Sequence, residues 1–174
     1  MNYIDKVSKA KKGDKKAFQD LLAEEKTKLY KIAYIYMKNE DEALEVFQET
    51  VCKALSSIHT LRENKYFYTW ITKILINTAI KELQKKKKVI PMEQEALLSN
   101  TKAEYQAEIN TDILEAIKLM EERYKTVLIL RYYKDYSIKQ IAEILQYPEG
   151  TVKTNIHRGL GLLRVQLEEE CVNE

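Results

Sequence analysis

Residues 59–70 read HTLRENKYFYTW, which sets Tyr66, Phe67, Tyr68 and Trp70 beside Arg62, Asn64 and Lys65. This mixture suits single-stranded nucleic acid: cations track phosphates, aromatic faces stack bases, and an amide reads a base edge. Just downstream, Lys73, Asn77 and Lys81 recur four residues apart, on one face of a helix. Asn77 there offers both a donor and an acceptor. A second constellation lies at Thr151, Lys153, Thr154, Asn155, His157 and Arg158. These polar and basic groups crowd the start of one short helix, as on a helix laid in a DNA major groove. A third is the stripe Glu42, Glu45, Gln48 and Glu49, spaced three and four residues apart.

Each set has a plainer reading. A single aromatic of the 59–70 segment is core, a single lysine is a solvated group, and a carboxylate stripe is an ordinary wet face. It is the combination within one short segment that points to a ligand. A row of carboxylates could hold metal, but a di-metal bundle wants Glu-x-x-His pairs and the chain has none. A surface that meets a basic partner helix fits the stripe better. There is no GxxxxGK[ST], HExxH or GxGxxG motif, and no Cys/His cluster. His59 and His157 lack evident partners. The expectation is therefore of no catalytic residue, no metal, no cofactor and no small-molecule substrate.

The elements that must position these groups are helices. Four glycines and two prolines in 174 residues are too few turn-formers for a strand-rich fold. Helical spacing predicts helices over 16–25 running on into 29–37, then 42–56 and 69–86, with a polar and aromatic loop at 59–68. The 42–56 helix buries Ala43, Val46, Phe47, Thr50, Val51 and Leu55 in this reading, with Cys52 in the core. Further on, Ile113, Ile117, Leu119 and Met120 mark one helix, and Tyr124, Val127, Leu128, Leu130 and Tyr133 another. Residues 136–164 read as helix, turn, helix. Ser137 and Gln140 have capping-box spacing, and Ile138, Ile141, Ala142, Ile144 and Leu145 form one apolar face. Tyr147-Pro148-Glu149-Gly150 breaks the helix, and Thr151 caps the next, which turns Val152, Ile156, Leu160 and Leu163 inward. The weakly periodic stretch 89–108, with a proline near its start, is the expected linker. The fold expected is thus all-α: two small helical domains, 1–88 and 109–174, joined by a flexible linker, the second containing a helix-turn-helix.

Charge is uneven. Residues 1–90 hold 19 Lys and Arg against 12 Asp and Glu; residues 91–174 hold 10 against 15. The first half carries the field that attracts a polyanion, so the second must rely on its local basic helix. No apolar run is long enough to span a bilayer, and the N-terminus lacks the apolar stretch of a signal peptide. These features place the protein in the cytoplasm, where Cys52 and Cys171 stay reduced.

These motifs in this order resemble an alternative sigma factor of bacterial RNA polymerase, of the extracytoplasmic-function group. KGDKKAF at 12–18 is similar to the start of that family's N-terminal domain, and EALEVFQETVCKAL at 42–55 to its polymerase-binding helix. FYTWITKILINTAIKEL at 67–83 is similar to its promoter-melting and minus-10 segment. RYKTVLILRYYKDYSIKQIAEIL followed by PEGTVKTNIHR resembles its minus-35 domain. The resemblance implies that Glu45, Gln48 and Glu49 dock on core RNA polymerase. It implies that Arg62, Asn64, Lys65, Tyr66, Phe67, Tyr68, Trp70, Lys73, Asn77 and Lys81 hold opened minus-10 DNA. Thr151, Lys153, Thr154, Asn155, His157 and Arg158 would then face the minus-35 element of promoter DNA. It also implies a cognate anti-sigma factor, often membrane-anchored. Three departures stand out. Gln146 or Tyr147 occupies a turn position where the family commonly has Gly, so this turn is expected to close differently. Asn155 stands where arginine is frequent, which implies an adenine preference at that contact. Leu75 and Ile76 make their helix more apolar than usual, as an inhibitor interface would require. The alternatives are a stand-alone helix-turn-helix regulator with a helical effector domain, and a helical interaction protein that binds no DNA.

Overall fold

A computed structural model describes residues 2–89 and 111–172, all of whose regular elements are helical. The linker expected at 89–108 lies, but for Val89, outside the described residues. The first half is a bundle of α1 (Tyr3–Lys11), α2 (Lys15–Met37), α3 (Glu40–Ser57) and α4 (Phe67–Val89). Sequence periodicity misses α1, whose only buried side chains are Val7 and Ala10 amid lysines. Gly13 takes φ +95° to turn the chain. Asp14 then caps α2 by accepting from the Ala17 amide at 3.0 Å. The helix expected over 16–25 does run on into 29–37, because no breaker interrupts that stretch. Asn39 caps α3 at the Glu42 amide, 3.1 Å away. Glu40, Asp41 and Glu42 follow at the positive end of the helix dipole.

The core of this half runs through Phe18, Leu21, Leu29, Ile32, Tyr36, Phe47, Phe67, Ile71 and Leu75. Ala54 is buried in α3, whereas Leu55 and Cys52, expected inside, are exposed. Leu75 and Ile76 are fully buried. The extra apolar character of α4 therefore serves the core, which corrects its reading as an inhibitor surface.

The second half packs α5 (Thr111–Leu119), α6 (Glu122–Leu128), a π-helical turn (Ile129–Tyr133), α7 (Ile138–Leu145) and α8 (Glu149–Val172). Leu119, expected inside, is 69% exposed at the end of α5. α8 approaches α6 closely at Gly159: a β-carbon there would lie 3.2 Å from Leu128 Cδ1 and 3.4 Å from Tyr124 Cβ. The two halves meet, α2 against α5 and α4 against α7, and the buried cluster is continuous across them.

Candidate nucleic-acid interface

The 58–66 connection is pinned from below by α1. Lys11 Nζ donates to the Leu61 carbonyl at 2.7 Å and to Asn64 Oδ1 at 3.3 Å. Asn64 Nδ2 donates in turn to Ser8 Oγ at 2.8 Å and to the Ile4 carbonyl at 3.4 Å. The Asn64 amide thus holds the loop in place instead of presenting an edge to a base, a correction to its expected role. Phe67 is corrected too: it is 0% exposed and meets Phe18 edge-on with ring centroids 6.1 Å apart. Its inward turn follows from its position at the first residue of α4, directly over the α2 core.

Tyr68 is half-buried. Its ring stacks on Tyr3 at 5.0 Å and its hydroxyl donates to Glu24. Burial, with the neighbouring Glu24 carboxylate, pushes the phenol pKa far up, so it stays a donor. Arg62, Lys65 and Tyr66 face solvent. Lys65 pairs with Glu63 at 2.8 Å, and its ammonium sits 4.8 Å from the Tyr66 ring centre.

On α4, Trp70 is half-buried against Phe67, with centroids 6.0 Å apart. Lys73 is half-buried, and Asn77 and Lys81 are exposed. Asn77 and Lys81 border a cleft of about 400 Å³ shared with Lys53, Ser56, Ser57, Ile74 and Thr78. Sequence reasoning missed Lys53, which donates to Thr78 Oγ1 at 3.1 Å and pairs with Glu49 at 2.7 Å. The Lys53 hydrogen bond, and behind it the charges of Lys53, Lys85 and Lys81, lower the Glu49 pKa.

Glu45, Gln48 and Glu49 all lie exposed on α3. Glu49 is engaged by Lys53, and Glu42 by Lys86. Glu45 makes no ion pair among the described residues. Exposed Leu44 and Leu55 extend this face with apolar area. Their spacing to Gln48 and Cys52, four and three residues, was the signal that would have found them.

In the helix-turn-helix the capping box forms in full: the Gln140 amide donates to Ser137 Oγ at 3.2 Å and the Ser137 amide to Gln140 Oε1 at 2.9 Å. Gln146 closes α7 at φ +56°, ψ +39°, the left-handed conformation that glycine usually supplies. The turn thus keeps its usual shape at some cost in strain. The Pro148 carbonyl accepts from the Thr151 and Val152 amides, so α8 begins ahead of Thr151 and Thr151 is not its cap. Thr151, Lys153, Thr154, His157 and Arg158 are exposed, with the Thr154 hydroxyl donating to the Gly150 carbonyl at 2.9 Å.

Asn155 does not join them. The buried line of α8 is Val152, Asn155 and Gly159, flanked by partly buried Ile156 and Leu163, while Leu160 points out. At 9% exposure Asn155 is a packing residue, which corrects its expected role as a base reader. Asn155→Arg should therefore lower thermal stability, by about 1–3 kcal/mol, because it forces extra volume and a charge into a closed site. Thermal unfolding measures this; unaltered stability with a switched base preference would show that the side chain points outward.

Among the described residues, no group of three or more His, Cys, Asp or Glu is placed to hold a metal ion. No helix there is long and apolar enough to cross a membrane.

Comparison with known proteins matches both halves. The model described as Sigma-70 region 2 matches residues 21–89, and that of Sigma-70, region 4, matches residues 110–163. "RNA polymerase sigma factor SigV" of Bacillus subtilis (strain 168) is 38% identical over 162 residues, covering 93% of this chain and 98% of the relative. "ECF RNA polymerase sigma factor SigW" of the same organism is 32% identical, covering 94% of this chain and 96% of the relative. Among solved structures, the sigma factor RpoE in complex with the anti-sigma factor NepR, from Bartonella quintana, shares the fold. Its TM-score is 0.73 at 20% identity, over 88% of this chain and 98% of that one. CnrH, solved with the cytosolic domain of CnrY, gives a TM-score of 0.71 at 16% identity, over 96% and 97%.

Proposed function

The chain belongs to the sigma-70 family of RNA polymerase sigma factors, and from that premise we propose how its surfaces divide the work. It is an alternative sigma factor that joins core polymerase, directs it to particular promoters and promotes melting of the DNA. The chemistry is the polymerase's; this chain contributes binding and positioning. Residues 1–88 form the part that docks on core and handles the minus-10 element, 89–108 link, and 109–174 read the minus-35 element.

The observation that carries this division is the exposed face of α3, where Glu45 and Gln48 lie between Leu44 and Leu55. A charged rim around apolar area is the make-up of a protein-binding surface, and a stand-alone DNA regulator has no use for one there. Arg62, Lys65, Tyr66 and the half-buried Trp70 receive the opened minus-10 strand. Lys73, Asn77 and Lys81 hold its backbone, with Lys53 as an addition to that set. Thr151, Lys153, Thr154, His157 and Arg158 contact the minus-35 groove and its phosphates.

RpoE was solved with the anti-sigma factor NepR, and CnrH with the cytosolic domain of CnrY; a cognate anti-sigma factor is the partner proposed here too. The site of action is the cytoplasm. The deciding experiment adds the full chain to purified core RNA polymerase and scores promoter-dependent transcripts. New transcripts starting at defined promoters are the expected result. Binding to duplex DNA without any association with core would favour the stand-alone regulator instead.

A further inference from the structure

The loop that carries Arg62, Lys65 and Tyr66 has little of its own to hold it. It contains two short 3-10 turns, Ile58–Thr60 and Asn64–Tyr66, a kind of turn with poor hydrogen-bond geometry. The Leu61 amide donates to the Ile58 carbonyl and the Tyr66 amide to the Glu63 carbonyl, each at 3.1 Å. The Phe67 amide donates to the Asn64 carbonyl. Arg62, Glu63, Lys65 and Tyr66 are exposed. Left to itself, such a segment samples many conformations, and ordering it costs entropy residue by residue.

The hold comes from α1. Both ends of the Asn64 amide are spent there: Oδ1 accepts from Lys11, and Nδ2 donates to Ser8 and to the Ile4 carbonyl. Lys11 also reaches the Leu61 carbonyl at 2.7 Å. These bonds grip the loop on one side of Tyr66. On the other side Tyr3 stacks on Tyr68. Lys6 and the Tyr68 hydroxyl donate to separate oxygens of the Glu24 carboxylate. Tyr66 is therefore fixed at both flanks while its own ring is left outward.

Seating α1 does not require these bonds. Val7 and Ala10, 0% and 3% exposed, anchor it to the bundle, and the Gly13 turn with the Asp14 cap joins it to α2. Its polar face is what is spent on the loop. It also lies ahead of the residues matched to Sigma-70 region 2, 21–89. A loop already in its bound shape pays less when its ligand arrives. If that shape is held only part of the time, apparent affinity falls by the same fraction.

We propose that α1 sets the shape in which this loop receives unpaired DNA, with Ser8 and Lys11 as positioning residues that do not touch the nucleic acid. This rests on the reading of Arg62, Lys65 and Tyr66 as groups that meet the opened minus-10 strand.

The test uses the full chain bound to core polymerase. Its probes are a promoter fork whose minus-10 non-template strand is single-stranded, and a duplex carrying only the minus-35 element. Lys11→Met combined with Ser8→Ala should weaken fork binding by about tenfold, with duplex binding and core association unchanged. Amide hydrogen exchange over residues 58–66 of the free protein should quicken several-fold. Lys11→Arg, which keeps a donor in the same place, should hold both readouts at the wild-type level. The salt dependence of fork binding should keep its slope. A slope lower by about one would make Lys11 a direct phosphate contact and overturn the positioning role. Either readout moving without the other, or neither moving, would overturn it too. Should Lys11→Met unseat α1, seen as lost helix content by circular dichroism, Ser8→Ala alone removes one hydrogen bond and no charge. It should then shift both readouts in the same direction, and no shift would count against the proposal. Tyr66→Ala is the control. If it binds the fork as well as wild type does, the loop reading fails and the proposal with it. A weakened Tyr66→Ala beside an unaffected double variant sinks the positioning role alone.

Discussion

Phe67→Ala should cost about 3–5 kcal/mol of stability, while Tyr66→Ala, one residue away, should leave the melting temperature nearly unchanged. Phe67 is fully buried, set edge-on to Phe18 and packed beside Tyr68 and Trp70. Truncating it opens a cavity where α4 starts, and a domain of ordinary stability has only about 5–15 kcal/mol to lose. Tyr66 is 39% exposed, with a lysine over its ring. Its loss should act on promoter opening instead: a base stacked on an aromatic ring is worth about 1–3 kcal/mol, so open complexes should fall by roughly tenfold. Chemical denaturation measures the first effect, and permanganate reactivity of unpaired thymines in the promoter measures the second. A Phe67→Ala protein of normal stability that fails only in melting would mean that Phe67, and not Tyr66, is the ring that meets DNA.

Reversing two charges on α8, Lys153→Glu together with Arg158→Glu, should lower transcription from a promoter with an intact minus-35 element by about 100-fold. Each basic contact to a base or phosphate is worth about 1–3 kcal/mol, and reversal replaces attraction by repulsion. Both side chains are exposed, so stability should hold, as should association with core polymerase. The salt dependence of promoter binding should flatten in proportion to the number of phosphates that are no longer neutralised. Transcription that persists at the wild-type level would remove the outer face of α8 from the promoter-reading surface.

The helical plan could be read from spacing because the long helices bury broad apolar stripes, and the capping box of α7 was legible because Ser137 and Gln140 are local partners. What escaped depended on non-local geometry or on residue volume. α1 buries little of its own surface, and its value is the lysine and serine that grip the loop from 50 and 56 residues away. On α8 the search for large apolar residues selected Leu160, whereas the helix turns Gly159 and Asn155 inward so that it can lie close to Leu128. The aromatic run at 66–68 gave the composition of a stacking surface without saying which ring faced in; the start of α4 over the α2 core decides that. The contact between the two halves, α2 against α5 and α4 against α7, was not legible at all. It depends on which faces of two separately patterned halves come together.

Cys52 gives the α3 face a chemical handle of its own. The thiol is free and exposed, one helical turn from Gln48 and two from Leu44. A thiol-directed alkylating agent therefore footprints that face in the unmodified chain: the rate at which Cys52 is labelled reports, in real time, whether the surface is covered or bare.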